Sequence, residues 1–579
     1  MANQELADIF SEIADLLEIR GEDRFRVNAY RKAARTVESL AEDVADLLAS
    51  GELASVPGIG KGTVEKVAQY VRDGRVQLHD ELLASVPPGL PALLQIPGLG
   101  PKKVQVVWQR LRVESLDDLK RVIESGDLAE LPGFGAKSVE NLRAGIEFLE
   151  RSAGRTPLGV AWPIARELAE GLKTAAAVRH VEVAGSVRRA KETIGDVDLL
   201  CTGEDGERII RAFTSLPAAR AVRASGDTKG AIVVETAEGG DLQVDLRVVP
   251  PESFGAALQY FTGSKEHNIR LREIASRKGW KLNEYGLFDG ERQIAGRDEA
   301  EIYRKLGLPF IEPELREDFG EIEAGSALPA LVSLDDIRGD LHMHSTYSDG
   351  RDSIEEMAAA AKARGYEYIA ICDHSKSEPI ANGMPVERLR AQIEEIRALN
   401  RRLKGFTVLA GCECDILTGG RLDYPDELLA QCDLVVASVH MGLGQDRATV
   451  TARTIKAMEN PYVTIIGHPT GRLLGRRDTM DLDIDAVVRA AASTGTALEV
   501  NASWQRLDLK DVHIRQAIAA GAMLSIDTDA HDTEQLDMMI YGVKTARRGW
   551  ATKESVLNAR MLAGLKKFVA NKRQGRSIA

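Results

Sequence analysis

The chain has 579 residues, of which 44% are hydrophobic and 28% charged, and a formal net charge of −13. That length exceeds the roughly 250–300 residues at which single cores stop growing, and no apolar run reaches the roughly 18 residues that a bilayer span requires, so several domains and no membrane anchor are expected. The acidic balance excludes binding to nucleic acid by bulk charge alone; any such role must rest on local sites and bound cations.

The opening residues carry early acidic side chains and no apolar core of signal-peptide type, which predicts a cytoplasmic protein. The five cysteines, Cys201, Cys372, Cys412, Cys414 and Cys432, form no C-x-x-C pair. Their hydrophobic flanks predict reduced, mostly buried thiols. Cys412 and Cys414 bracket Glu413, which has the better claim to a metal.

Taken in chain order, the first feature is an internal repeat. "VPGIGKGT" (56–63), "IPGLGPKK" (96–103) and "LPGFGAKS" (131–138) share apolar-Pro-Gly-apolar-Gly, each followed by a helical stretch. Proline ends a preceding helix and the glycines permit a tight turn, leaving backbone N–H groups at a helix N-terminus where a phosphate fits. A single copy would be no more than a helix connector. Three copies resemble helix-hairpin-helix motifs, which grip the DNA backbone without reading bases, through Gly58, Gly60, Gly98, Gly100, Gly133 and Gly135.

From about residue 155 the pattern turns to strands rich in Val and Ile. In "GSVRRAKETIGDVDLL", Asp196 and Asp198 sit at i and i+2 on an apolar strand, so both carboxylates face one way. Asp245 in "LQVDLRVV" supplies a third. Oxygen-only ligands suit Mg²⁺, and two cations would steady the attacking and leaving oxygens of a displacement. The Gly185–Ser186 turn offers N–H and hydroxyl groups to a triphosphate, with Arg188 or Arg189 as a charged clamp.

"GSVRRAKETIGDVD", "QVDL", "YFTGSKEHNIRLR" and "LNEYGL" resemble the palm and thumb motifs of family X DNA polymerases, the group of polymerase beta, over roughly residues 1–320. The resemblance implies that Asp196, Asp198 and Asp245 are the catalytic, metal-binding triad and that Gly185, Ser186 and Arg189 hold the triphosphate. It places Tyr260, Phe261 and Gly263 at the sugar, Asn268 at the incoming base and Arg272, supported by Glu284, near the template. Lys66 matches a Schiff-base lysine of the family's 5′-deoxyribose phosphate lyases. Gly62 stands where relatives bind the 5′-phosphate with lysine, and Lys265 where they often carry an acidic residue.

Between 310 and 337 the chain is acidic, punctuated by Pro and Gly and without sustained periodicity, which predicts a linker. Beyond it, "GDLHMH", "YIAICDH", "TVLAGCECD", "LVVASVH", "VTIIGHP", "ALEVNAS" and "MLSIDTDAH" alternate with helical patterns, the signature of a parallel α/β fold. Each run ends in His, Asp, Glu or Asn. Functional groups of α/β barrels cluster at the C-terminal ends of strands, so these seven runs predict one shared site. His342, His344, His374, His440, His468 and His531 are six of the ten histidines. With Asp349, Glu413 and Asp529 they make nine N and O ligands, enough for two or three ions of Zn²⁺ or Mn²⁺ type.

This pattern resembles the PHP phosphoesterases, a distorted (β/α)7 barrel with a trinuclear centre. Aspartate at 349 stands where relatives often have histidine. Polymerase followed by PHP domain resembles the bacterial and archaeal family X polymerases, whose C-terminal domain is associated with Mn²⁺-dependent 3′-5′ exonuclease and, in some, abasic-site endonuclease activity. The expected fold is multidomain: an all-α helix-hairpin-helix region (1–85 lyase-like, 86–154 fingers), an α+β nucleotidyltransferase palm (155–255) and thumb (256–315), a linker (316–337) and the PHP barrel (338–579). The expected function is gap filling in DNA repair, with Mg²⁺ or Mn²⁺ at the polymerase site, trimming of 3′ ends by the barrel, DNA and dNTPs as partners, and a monomer in the cytoplasm at the nucleoid. Two other readings stay open: a template-independent nucleotidyltransferase fused to a small-molecule phosphatase, and a barrel whose metals serve only as a scaffold.

Overall fold

The computed structural model describes the chain except residues 1, 39, 41–43, 57, 95, 97–98, 141, 144–145, 147–153, 176–177 and 576–579. Two compact units divide it: Met1–Ala153 with the short segments Asp349–Asp352 and Gly475–Asp478, and the remaining residues.

Within 1–153 the described elements are helical, among them Ala2–Ile19, Arg24–Glu38, Lys61–Asp73, Pro101–Leu111 and Leu116–Ser125. Their apolar faces meet in one core that includes Phe10, Ile13, Leu17, Val67, Val104, Leu119 and Phe134. The three repeat turns share one hydrogen-bond pattern. The N–H groups of Ile59, Leu99 and Phe134 donate to the carbonyls of Val56, Ile96 and Leu131, at 3.1, 3.0 and 3.1 Å. One residue after each of these donors, the carbonyls of Gly60, Gly100 and Gly135 accept the first N–H groups of the next helix. Pro57, Pro97 and Gly98 lie outside the described residues.

The second unit begins with a five-stranded sheet of Val178–Val183 (β1), Asp196–Gly203 (β2), Ala221–Ser225 (β3), Lys229–Glu235 (β4) and Asp241–Val248 (β5), in the order β1-β2-β5-β4-β3. Strands β2 and β5 are parallel, with Asp198 opposite Asp245; the other pairs are antiparallel. Helices Leu158–Ala175 and Gly206–Thr214 cover it through a core that includes Leu168, Leu172, Val197, Ile210 and Phe213. A thumb follows, with helices Phe254–Thr262, Lys265–Arg277 and Glu299–Leu306 and a small antiparallel sheet of Trp280–Asn283 (β6), Gly286–Asp289 (β7) and Arg292–Ala295 (β8).

The thumb is tied to the palm by a buried ionic cluster. Glu299 accepts from Arg188 through both carboxylate oxygens, at 2.9 and 2.8 Å, and also pairs with Arg316. Arg316 is 0% exposed and lies over the Tyr303 ring. Burial works against the Glu299 charge, yet Arg316 and Arg188 together hold its carboxyl below the usual range. Glu299→Ala would leave two sequestered guanidinium groups without a counter-ion and is expected to destabilise the protein by about 3–5 kcal/mol, the usual cost of breaking a buried pair from one side. Calorimetry of the variant against wild type measures this.

The segment expected as a linker is packed along its first part: Arg316 and Glu321 are fully buried, and Ile311, Leu315 and Ile322 belong to the thumb core.

Eight parallel strand segments form the C-terminal part: Gly339–Met343 (β9), Tyr368–Ile371 (β10), Thr407–Ala410 (β11), Glu413–Asp415 (β12), Val436–Ser438 (β13), Ile465–Ile466 (β14), Ala497–Asn501 (β15) and Leu524–Asp527 (β16). Segments β11 and β12 are one run interrupted at Gly411–Cys412, so seven runs close a ring. Glu413 N donates to Cys372 O at 3.1 Å, joining β12 to β10; His344 N donates to Ala530 O at 2.8 Å, joining β9 to the end of β16. Alternation along β10 sends Ile369 and Ile371 to the helix layer, while Tyr368 and Ala370 join the inner core with Leu565 and Phe568 of the last helix. All five cysteines are buried free thiols, as their flanks predict.

The barrel and palm share contacts. Leu507 and Tyr541 of the barrel belong to the palm core, and Arg472 pairs with Glu192 at 2.9 Å.

Two candidate active sites

The first site lies where β1, β2 and β5 end beside the thumb. A cavity of about 530 Å³ is lined by Gly185, Ser186, Arg189, Asp196, Asp198, Tyr260, Phe261, Gly263, Lys265, Asn268 and Arg272. Every nucleotide-binding candidate and two of the three aspartates thus share one space. The third, Asp245, faces Asp198 across the parallel pair and also meets Lys229 Nζ at 3.3 Å.

Gly185 has φ +63°, and a Cβ there would stand 2.4 Å from Asp198 Oδ2. Only glycine lets this turn lie against the carboxylate. Burial, then the charges of Asp196 and Asp245, push the Asp198 carboxyl up to about 7 against the pull of Arg247 and Arg189. Three carboxylates so crowded are a donor set for a divalent cation, which would remove that penalty. Tyr260 and Phe261 meet edge to face at 5.2 Å, and Arg247 lies over the Phe261 ring. Asn268 is held by Gln259 at 2.6 Å and donates to Tyr260 O at 2.7 Å, which fixes its orientation at the cavity wall.

The second site gathers the strand-end residues of the barrel. Glu413, 1% exposed, is its hub: His342 Nε2 lies 3.4 Å away, His374 Nδ1 2.9 Å, His440 Nε2 3.4 Å and His468 Nε2 3.1 Å. His344 Nε2 stands 3.0 Å from Asp529 and stacks on His374 and His531 at 4.5 and 4.2 Å between centroids. His344, Asp349, His374 and His531 offer one ligand atom each within 4.8 Å of one another; so do His342, His344 and Asp529, and His374, Glu413 and His440. All nine expected ligands therefore converge.

Two observations fit cations here. The buried atoms His342 Nε2, Glu413 Oε2 and His468 Nδ1 have no hydrogen-bond partner among the described residues, a cost that native sites rarely carry without a ligand. His468 and Asp529 also hold positive φ, +23° and +55°, the backbone strain that clusters at functional sites. Burial alone would raise the Glu413 carboxyl, but His342, His440 and His374 hold it well below its usual range. Burial opposes charge on His440 too, yet Glu413 and Asp415 push it up to about 10.

Sequence reasoning missed the residues that orient these ligands. Glu499 accepts from His342 Nδ1 at 2.6 Å and Asp415 from His440 Nδ1 at 2.6 Å, the carboxylate–histidine arrangement of metal sites. Glu499 was visible as the charged residue inside the apolar run "ALEVNAS". Arg506 Nε lies 3.6 Å from Asp529, and its buried Nη1 lacks a partner among the described residues. Gly467 is dictated by close approach: a Cβ there would meet Ser438 Oγ at 2.3 Å and would lie 3.5 Å from the His342 ring.

In the first unit, Lys66 is half-buried on helix Lys61–Asp73. Gly60 and Gly100 cap the helices that follow them, and Gly58 and Gly133 hold φ +108° and +91°.

A carboxylate-lined cavity on a palm and thumb, joined to a histidine-rich barrel, defines a two-centre enzyme of phosphoester chemistry that uses divalent cations. Family models agree: "Helix-hairpin-helix domain" matches residues 1–76, "SAM-like Helix-hairpin-helix tandem" 90–147, "DNA polymerase beta thumb" 257–317 and "PHP domain" 340–503. The chain is 40% identical to the DNA polymerase/3′-5′ exonuclease PolX of Bacillus subtilis over 98% of its length and 99% of that protein. It is 28% identical to DNA polymerase lambda of Rattus norvegicus over 54% of its length and 56% of that protein, and 36% identical to a probable phosphatase of Syntrophotalea carbinolica over 28% and 65%. The chain belongs to the family X DNA polymerases that carry a PHP domain.

Proposed function

We propose that the Asp196–Asp198–Asp245 cavity adds dNTPs to primed or gapped DNA in repair, and that the nine-ligand barrel site removes nucleotides from 3′ ends. The observation that carries this reading is the first cavity. Palm carboxylates, the Gly185–Ser186 turn and the thumb residues Tyr260, Phe261, Asn268 and Arg272 meet in one space, although Asp198 and Tyr260 stand 62 positions apart in the sequence.

In this reading the helix-hairpin-helix turns of 1–85 and 86–154 hold the DNA backbone, through Gly58, Gly60, Gly98, Gly100, Gly133 and Gly135. Residues 155–255 and 256–315 are palm and thumb, 316–337 connects, and 338–579 is the phosphoesterase. Arg189, Gly185 and Ser186 seat the triphosphate. Tyr260 and Phe261 pack the sugar, with Gly263 allowing close approach, and Asn268 meets the base. Asp196, Asp198 and Asp245 suit Mg²⁺ or Mn²⁺ by their oxygen donors, and the mixed imidazole and carboxylate set suits two or three Zn²⁺ or Mn²⁺. When bound, such cations activate the attacking oxygen and neutralise charge developing on the phosphate. In the barrel, Glu499 and Asp415 orient the imidazoles, and Arg506 places a guanidinium beside Asp529 for a phosphate oxygen. The protein works on DNA in the cytoplasm, at the nucleoid, as a monomer.

The test uses a labelled gapped duplex, with and without dNTPs, in Mg²⁺ and in Mn²⁺. Asp196→Ala/Asp198→Ala is expected to lose extension alone and His342→Ala/His344→Ala shortening alone. A folded histidine variant that still shortens the strand would move the barrel to a scaffold or a small-molecule phosphatase.

A further inference from the structure

Arg189 is held from the barrel side. Its Nε donates to Glu317 Oε1 at 3.1 Å and its Nη1 to Thr262 O. Arg548, on barrel helix Met539–Arg548, donates through Nη1 to the main-chain carbonyl of Arg189 at 2.8 Å and to the same Glu317 Oε1 at 3.0 Å. The rest of its guanidinium is anchored on Asp511 Oδ2, by Nε at 2.9 Å and Nη2 at 2.6 Å. Lys191 Nζ faces Glu317 at 3.9 Å. Arg548, Glu317 and Arg189 side chains are 4%, 12% and 13% exposed, so the chain of charges is screened from solvent and weakly damped.

We infer that Arg548 is a positioning residue for the polymerase: the nuclease barrel sets the place and the charge of the arginine that receives the incoming triphosphate. The inference rests on the reading of Arg189 as that clamp. Two effects act in the same direction. The bond to the Arg189 carbonyl fixes the backbone from which the clamp projects. Competition for Glu317 Oε1 keeps that carboxylate from pairing with Arg189 alone, so positive charge remains for the triphosphate. Without Arg548, Glu317 binds Arg189 more closely and the nucleotide must displace it.

The experiment measures steady-state dNTP incorporation on a primed duplex and 3′ shortening of the same DNA, for the full chain and the variants R548M, R548K, R189A and R189A/R548M. R548M is expected to raise KM for dNTP about tenfold with kcat within about twofold, the mark of lost ground-state binding. Shortening should be unchanged, which also reports that the barrel is folded. R548K should recover part of the affinity, keeping the charge without the planar fork. The double variant should bind dNTP no worse than R189A, because both changes act through one group. A raised KM in R189A with none in R548M, or effects that multiply in the double variant, overturns the inference. An unchanged KM in R189A overturns the reading of Arg189 itself. Should R548M fail to fold, D511N loosens the same guanidinium, and an unchanged KM for that variant is equally decisive against it.

Discussion

Asp198→Asn is expected to lower nucleotide incorporation by about a thousandfold or more, the scale of losing a group on which charge stabilisation depends, with 3′ shortening intact. Asp198 faces Asp245 across two parallel strands and lies against the Gly185 turn, so a neutral amide removes one of the oxygens that the crowded carboxylates offer a cation. The same change has an opposite consequence for stability. With its carboxyl raised from 3.8 to about 7, Asp198 binds a proton more tightly in the folded protein than in the unfolded chain. Between those values stability falls as pH rises, and above about 7 the metal-free fold carries an unrelieved charge. In chelator at pH 8 the asparagine variant should therefore melt above wild type, and the gap should close toward pH 4. Scanning calorimetry at the two pH values decides; an equal melting point at pH 8 would mean that the three carboxylates do not strain the fold.

Glu413→Gln is expected to abolish 3′ shortening by a comparable factor, about a thousandfold or more, while extension persists. Glu413 is approached by His342, His344, His374, His440 and His468, so its charge is the one shared by the largest part of the ligand set. An amide of the same shape keeps the packing but cannot offset cations, and the purified variant should carry less bound metal than wild type by elemental analysis. Chelation should lower the melting temperature of the wild-type barrel and leave the variant little changed, because metal affinity contributes folding free energy only where metal binds. A variant with full metal content and no shortening would instead assign Glu413 a role in the chemistry.

In both sites the converging residues were more legible than the residues that support them. The barrel ligands could be read because strand periodicity and residue type coincide: an apolar run that ends in histidine has few structural explanations, and His342 and His344 at i and i+2 converge on any strand. The palm aspartates were readable for the same reason. The orienting role of Glu499 and Asp415 was not, because a carboxylate that orients an imidazole looks, in one dimension, like any acidic residue at a strand, even where, as with Glu499, its place in an apolar run stands out. Arg316 and Glu321 sit in an irregular acidic stretch that lacks periodicity, and burial there comes from ionic partners rather than apolar patterning. The link from Arg548 to Glu317 and Arg189 joins residues hundreds of positions apart, and nothing local in "TARRGW" distinguishes Arg548 from Arg547.

The closure of the barrel has a consequence for synthesis. Strand β9 is completed by the segment after β16, through His342 O with Asp529 N and His344 N with Ala530 O. The ribosome must deliver Ala530 before the first two histidines can meet their partners. At about 5–20 residues per second, the stretch from His344 to Ala530 takes roughly 10–40 s. During that interval the palm strands, complete by Val248, have already left the exit tunnel. The palm carboxylates are thus laid down ahead of the barrel cluster, while Arg548, which holds the Arg189 backbone, arrives after both. The degrading centre cannot exist on a truncated nascent chain.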